Sequence, residues 1–221
     1  MKTDAAWIDR LKTGAATLGH PLAESDAARL AAFADRLIEW GGKMDLSAID
    51  TLDEIREKHF LDSIAGLALL DTPGPLFDLG SGGGFPGLVI AALRPEVRVV
   101  SVESRSKKGV FQRQVARDLG LANLEVRTER IEEVVRREAA PAFATARALA
   151  DLTTLLGWTR PWLEQGCALI AWKSSRADEE LRGADSAMES SRLFVDRRVD
   201  LLLPESGDPR TLLRIRQRAK G

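Results

Sequence analysis

The sequence predicts an α/β fold, with a mainly parallel seven-stranded sheet covered by helices on both faces and a helical extension at the N-terminus. Three observations carry this. Between Leu76 and Trp172, five short hydrophobic runs alternate with helical stretches, the pattern of parallel strands joined by crossover helices. Two further strand-like runs close the chain with no room for a helix between them, which makes an antiparallel hairpin. The first 70 residues, by contrast, carry helical periodicity.

The extension is assigned to residues 1–72 and the sheet domain to 73–221. In the extension, "ESDAARLAAFADRLIEW" places Leu30, Phe33, Leu37 and Trp40 at helical spacing, with Ser25 as the expected N-cap. "GGKMDLSAID" breaks that pattern. Thr51 followed three residues on by Glu54 then fits a capping box, which opens a helix running to about Leu70. "DTPGP" punctuates the boundary. The strands are expected in "LFDL", "VRVVSV", "LEVRT", "FATA" and "CALIAW", and the helices in "PGLVIAAL", "SKKGVFQRQVARDLG", "RIEEVVRRE" and "DLTTLLGWTRPWLEQ". After a polar helix, "RADEELRGADSAMESS", the runs "RLFVDRRVDLLL" and "RTLLRIRQ" joined by "PESGDP" form the hairpin.

Composition narrows the function. The chain has 221 residues, a formal net charge of −1, 44% hydrophobic and 29% charged residues, which is ordinary for a globular protein. With a sequence pI of about 6.2, any polyanion site must be a local patch. A single cysteine, Cys167, excludes an intramolecular disulfide and a cysteine-based zinc site, and His20 and His59 have no metal-ligand spacing. "MKTDAAWIDR" has no signal-peptide core, and no uncharged run reaches the length of a membrane span. A cytoplasmic monomer with no membrane or DNA partner is expected.

Five glycines (Gly80, Gly82, Gly83, Gly84 and Gly87) crowd the turn between the first strand and the next helix. Such a turn is where nucleotide-like ligands rest in open α/β sheets. A dinucleotide fingerprint, G-x-G-x-x-G, matches at Gly80 and Gly82 but meets Phe85 at its third glycine. The spacing D-x-G-x-G-x-G is met by Asp78, Gly80, Gly82 and Gly84, and looks like the first motif of class I methyltransferases, Rossmann-like enzymes that bind S-adenosylmethionine. Glu103, at the end of the second strand, stands where an acid accepts from both ribose hydroxyls. That acid fits NAD equally well, so Phe85 and the hairpin favour the methyltransferase over an NAD(P)-dependent oxidoreductase.

The longer stretch "DLGSGGGFPG" resembles the signature of the RsmG (GidB) family, bacterial methyltransferases of small-subunit ribosomal RNA. The blocks "DLSAIDTLDEIREKHFLDSI", "VESRSKKGVFQRQV", "RTERIEEV" and "ARALADL" are similar to further family segments, so the resemblance spans nearly the whole chain. Three positions depart from the family pattern: Asp45 stands for an Asn, Ala146 for a Ser, and Ser174 for the Gly after Lys173. At Asp45 an amide that donates has become an acceptor-only carboxylate.

The resemblance implies methyl transfer from S-adenosylmethionine to N7 of a guanine in 16S ribosomal RNA. N7 carries a free lone pair, so no general base is required, and catalysis rests on alignment, a contribution that reaches about 7–11 kcal/mol. What the chain lacks agrees. "TARALADL" after the fourth strand is not the Asn/Asp-Pro-Pro-aromatic motif of exocyclic amine methylation. Cys167 begins a strand, away from the ligand crevice, where it reads as a small buried hydrophobe rather than a nucleophile.

The resemblance further implies cofactor contacts at Gly80, Gly82, Gly84, Phe85, Glu103, Ile131, Glu132 and Arg147. Each has a plainer alternative: a tight turn for the glycines, a core aromatic for Phe85, helix capping for Glu103, a helix-dipole acid for Glu132 and a structural ion pair for Arg147. On the substrate side stand Arg147, Lys173, His59 and Asp62. Lys173 is an RNA contact or a solvated lysine. His59 and Asp62 share a helix face at i, i+3, and either line the substrate or form a half-buried pair. Cations cluster at Arg105, Lys107, Lys108, Arg113 and Arg117, and residues 192–221 hold eight Lys/Arg against four acids. Arg214, Arg216 and Arg218 alternate on one sheet face, a candidate RNA surface or a solvated one. A non-catalytic ribosome-binding module that keeps the fold is the remaining alternative.

Overall fold

A computed structural model describes residues 2–41, 49 and 51–218; Asp45 and Lys220 lie outside the described residues. Helix α1 (Ala5–Thr17) is capped by Asp4, whose carboxylate accepts the Trp7 amide at 2.8 Å. Helix α2 (Glu24–Gly41) buries Leu30, Phe33 and Leu37, as its spacing predicts. Ser25 is not its N-cap: the amides of Asp26 and Ala27 already donate to the Ala23 carbonyl, which places Ser25 inside the first turn. Thr51 does cap α3 (Leu52–Ile55), accepting the Glu54 amide at 3.3 Å. The chain continues as a π-helical segment, Arg56–Leu61, then α4 (Asp62–Ala65) and a 3₁₀ turn, Gly66–Leu69.

Strands β1 (Leu76–Leu79), β2 (Val99–Val102), β3 (Leu124–Arg127), β4 (Phe143–Arg147) and β5 (Ala168–Lys173) are parallel. The terminal hairpin forms as expected: β7 (Pro209–Gln217) runs antiparallel to β5 and to β6 (Leu193–Leu202). The sheet order is β3-β2-β1-β4-β5-β7-β6. Successive strand residues point to opposite faces, and the sheet accordingly divides two cores. Leu76, Val99, Phe143 and Ile170 pack with the N-terminal helices, α5 (Gly87–Leu93) and α6 (Ser106–Asp118). Phe77, Val100, Ala144 and Leu169 pack with α7 (Ile131–Arg137), α8 (Leu152–Leu163) and α9 (Ala177–Ser190).

The hairpin corrects one expectation. Arg214 is only 4% exposed, and its guanidinium is held by Asp196 at 2.7 Å, Asp71 at 2.6 Å and the Leu69 carbonyl at 2.9 Å. Arg216 shares Asp196 at 3.2 Å, and Arg218 lies over the Phe194 ring. Sequence alternation locates these cations on a strand but not the acids that pack across them. Arg214 fastens the hairpin to the 3₁₀ turn rather than facing a polyanion.

Candidate active site

The strand order reverses between β1 and β4, which opens a crevice at their carboxyl ends. The glycine turn after β1 fills one side of it. The amides of Gly80 and Ser81 donate to the Val102 carbonyl at 2.8 and 3.2 Å, and those of Gly84 and Phe85 to the Ser81 carbonyl at 2.8 and 2.9 Å. Gly80, Gly82 and Gly84 have φ of +67°, +56° and +96°, a region side chains disfavour. At Gly82 an added Cβ would meet nothing nearer than the Gly80 carbonyl oxygen at 3.9 Å, so the loop presents an open face there. Gly87 serves close approach instead: its amide donates to Asp78 Oδ2 at 2.8 Å, and a Cβ would sit 2.6 Å from that oxygen.

Glu103, just past β2, holds the other side of the turn. Its Oε2 accepts the Gly82 amide at 2.9 Å and its Oε1 accepts the Arg105 amide at 2.8 Å. With one backbone donor on each oxygen, the carboxylate keeps lone pairs for further donors. A cleft of about 480 Å³ opens here, in the range of small-molecule sites. Gly80, Gly82, Phe85, Glu103, Ile131, Glu132 and Arg147 line it together, so the structure gathers seven of the eight expected residues. Gly84 is not among its walls; a Cβ there would lie 2.9 Å from Leu88.

Arg147, at the end of β4, forms the partition to a second cleft of about 860 Å³. Its Nη1 donates to the Lys58 carbonyl at 2.7 Å and to Asp62 Oδ2 at 2.8 Å, while Nη2 lies 3.0 Å from His59 Nδ1. A guanidinium only donates, so Nδ1 accepts and the ring proton belongs on Nε2. The i, i+3 reading of His59 and Asp62 holds, because both reach the same arginine. Asp62 also accepts from Arg210 of β7 at 3.1 Å. Phe85 is 4% exposed and stacks on Phe33 and His59, with ring centroids 5.0 and 4.5 Å apart. It is thus largely core, an aromatic floor beneath Arg147, whose guanidinium lies 5.4 Å from its ring, and it also lines the cleft.

Lys173 departs from the solvated reading. It is buried, with Nζ 2.7 Å from Glu180 and 2.9 Å from the Ala150 carbonyl. The ammonium is not solvated but paired, and the residue still lines the second cleft. It ties the segment after β4 to α9, since Glu180 also accepts the Leu152 amide at 2.9 Å.

Two titrations follow from burial. Desolvation, with Arg147 alongside, pushes His59 from 6.5 down to about 3. Burial pushes Asp78 up from 3.8 to about 7, against the Gly87 amide and the Thr145 hydroxyl that favour its charged form. Between about pH 3 and 6.5 only the unfolded chain protonates His59, so this site loses stability as pH falls. Between about 3.8 and 7 the folded protein keeps a proton on Asp78 that the unfolded chain has released, so this site loses stability as pH rises. The two slopes oppose each other where the windows overlap. Asp78→Asn is therefore expected to gain stability relative to wild type, by up to about 1.4 kcal/mol per pH unit, as pH rises through the Asp78 window. Urea denaturation of both proteins checks this; a difference independent of pH would place Asp78 in its ionised form throughout.

Cys167 is buried at the far end of β5, and desolvation pushes its thiol up to about 12, so no thiolate is available. Four residues carry the loop from beneath, and three of them bear no sign of it in the sequence. Asp78 stood in the glycine motif and anchors Gly87. Ser81, Ser101 and Gln112, all buried, bond to one another beneath Gly82. A glutamine beside Phe111 on an amphipathic helix gives no sign of this in sequence.

Comparison with known proteins agrees with the geometry. Residues 26–204 match the family described as GidB, rRNA small subunit methyltransferase G. A ribosomal RNA small subunit methyltransferase G of Geobacter metallireducens is 37% identical over 206 residues, covering 93% of this chain and 94% of its own length. That of Geobacter sulfurreducens is 38% identical over 206 residues, covering 93% and 95%. Among solved structures, the B. subtilis m1A22 tRNA methyltransferase matches with a TM-score of 0.56 at 14% identity, over 71% of this chain and 65% of its own. A ribosomal protein L11 methylase from Lactobacillus delbrueckii matches at 0.55 and 14%, over 73% and 79%. At such identity these structures speak for the class I methyltransferase fold alone.

Proposed function

The chain belongs to the GidB family of rRNA small subunit methyltransferases, and on that premise we propose that it binds S-adenosylmethionine in the glycine-lined cleft and methylates N7 of a guanine in 16S ribosomal RNA, in the cytoplasm. The observation that carries this reading is the pair of clefts meeting at Arg147. One has the size and lining for a nucleoside cofactor, and the other is open to a nucleotide. Bound S-adenosylmethionine would supply an electrophilic methyl group on its sulfonium.

The residues present fit that ligand. The open face of Gly82 accommodates the methionine portion, and the spare lone pairs of Glu103 suit ribose hydroxyls. Ile131 and Glu132, opening α7 and lining the cleft, would flank the adenine. Arg147, fixed on three acceptors, holds the junction where the two substrates meet. Guanine N7 needs no deprotonation, and the Nδ1 lone pair of His59 is taken up by Arg147 rather than free to accept a proton. Aligning the reactants is then the main task of the site. Around the mouths, Arg105, Arg130 and Arg176 are exposed and make no ion pair among the described residues, which suits RNA phosphates.

Mass spectrometry of 16S ribosomal RNA from a deletion strain tests the function: loss of one 7-methylguanosine, restored by the cloned chain, is the expected result, and an unchanged methylation pattern would refute it. For the cofactor site, Glu103→Ala is expected to weaken S-adenosylhomocysteine binding by roughly 1.5–3 kcal/mol, the worth of hydrogen bonds to a charged group. A calorimetric change of only a few tenths would mean that the ribose is held elsewhere.

A further inference from the structure

Beneath the cofactor loop lies a closed set of polar contacts that the reaction itself does not call for. Gln112 of α6 is fully buried, as is Ser101 of β2. The Gln112 side-chain amide donates to Ser81 Oγ at 2.8 Å and to the Gly82 carbonyl at 2.8 Å, while its own carbonyl oxygen accepts from Ser101 Oγ at 2.6 Å. With its one proton given to Gln112, Ser101 Oγ accepts from the Ser81 hydroxyl beside it. A buried glutamine is stabilised only when its amide is satisfied, and here its NH₂ group is satisfied by the loop.

Gly82 is consequently held at both ends by side chains: its N–H by Glu103 and its C=O by Gln112. A trans peptide sets C=O and N–H in opposite directions. With the Gly82 carbonyl drawn inward to Gln112, the Gly83 N–H of the same peptide points away from α6, on the side where Gly83 lines the cleft. Among the described residues nothing accepts from it. Without Gln112 the Gly82 carbonyl would lose its buried partner, and glycine on both sides of the peptide would let the plane turn freely.

We propose that Gln112 is a positioning residue: it locks the Gly82–Gly83 peptide so that the Gly83 N–H faces the cleft and donates to the carboxylate of the cofactor's methionine portion. The inference rests on the assignment of this cleft to S-adenosylmethionine. It separates Gln112 from Ser101, which belongs to the same buried network but does not touch Gly82.

The test is calorimetric binding of two ligands, S-adenosylhomocysteine and 5′-methylthioadenosine, which has the nucleoside thioether but no amino-acid carboxylate. Gln112→Met keeps the length of the side chain and removes its donors. It is expected to weaken S-adenosylhomocysteine by about tenfold, the scale of one lost charge-assisted hydrogen bond, while 5′-methylthioadenosine changes less than about twofold. Ser101→Ala should leave both within about twofold. Equal losses on both ligands, or an unchanged ratio in a folded Gln112→Met protein, would overturn the inference and leave the cofactor reading standing. A wild-type protein that binds neither ligand overturns the cofactor reading first. Should Gln112→Met fail to fold, the wild type decides by NMR: the Gly83 amide proton moves downfield on addition of S-adenosylhomocysteine but not of 5′-methylthioadenosine, and a resonance that ignores both ligands counts against the proposal.

Discussion

Gly82→Val is expected to abolish S-adenosylhomocysteine binding, with affinity falling by more than about a hundredfold, or roughly 2.7 kcal/mol, while the protein stays folded. The position separates the two effects. Apart from its chain neighbours, the nearest atoms to an added Cβ are the Gly80 carbonyl oxygen at 3.9 Å and the flexible Lys108 Nζ at 4.0 Å, so the new side chain points into the cleft and not the core. The cost to the fold is backbone strain at φ +56°, about 1–2 kcal/mol for a left-handed residue and somewhat more for a β-branched one, against a typical total of about 5–15. A melting temperature lower by a few degrees, read beside a calorimetric titration with no binding heat, is the expected pair of results. Unchanged affinity would remove the ligand from this loop.

Arg147→Lys is the second large effect, because the charge is kept and the fork is lost. The guanidinium reaches the Lys58 carbonyl, Asp62 and His59 at once, from a platform on Phe85. An ammonium on a flexible stem cannot satisfy that spread of acceptors. Breaking a buried, hydrogen-bonded pair typically costs about 3–5 kcal/mol. Asp62 retains Arg210, so a smaller stability loss is expected here; the rate is a separate readout, and with the fork no longer fixed where the clefts meet, the single-turnover rate should fall on the order of a hundredfold, or about 2.7 kcal/mol. The shape of the rate–pH profile should not change, since arginine and lysine both stay charged from about pH 5.5 to 9. His59→Asn should also keep that shape, because the neutral imidazole has no titration to lose in this range. A rising limb in the wild type that His59→Asn removes would identify a histidine base, and direct attack by N7 would have to be given up. A rate for Arg147→Lys within about twofold of wild type would reduce the arginine to a structural ion pair.

The difference between what was legible and what was not follows residue type and range of interaction. The turn after β1 was readable because left-handed backbone at Gly80, Gly82 and Gly84 requires glycine, a constraint written into single positions. Glu103 was readable because a strand and a fixed spacing bring it beside that turn. His59 and Asp62 were readable as a pair through helix periodicity, but the arginine that unites them sits 88 and 85 residues away in sequence. Nothing local announces such a contact. Lys173 shows the opposite error: a lysine ending a strand is normally solvated, and only the approach of α9 with Glu180 turns it into a buried tie.

By itself the sequence determined the kind of fold, the seven strands in order, the hairpin at the end, the location of the glycine turn and the family of the protein. These depend on backbone preferences, hydrophobic period and short motifs, all of which act within a few residues. The tertiary structure alone decided which charges are spent on the fold and which stay open to a ligand. Arg214 and Lys173 are neutralised by acids from other elements, Phe85 sinks into the aromatic core, and Gln112 is drawn under a loop 30 residues away. Charge pairing and desolvation depend on distance in space, and a residue's partners across a sheet or beneath a loop exist only once the chain has closed around them.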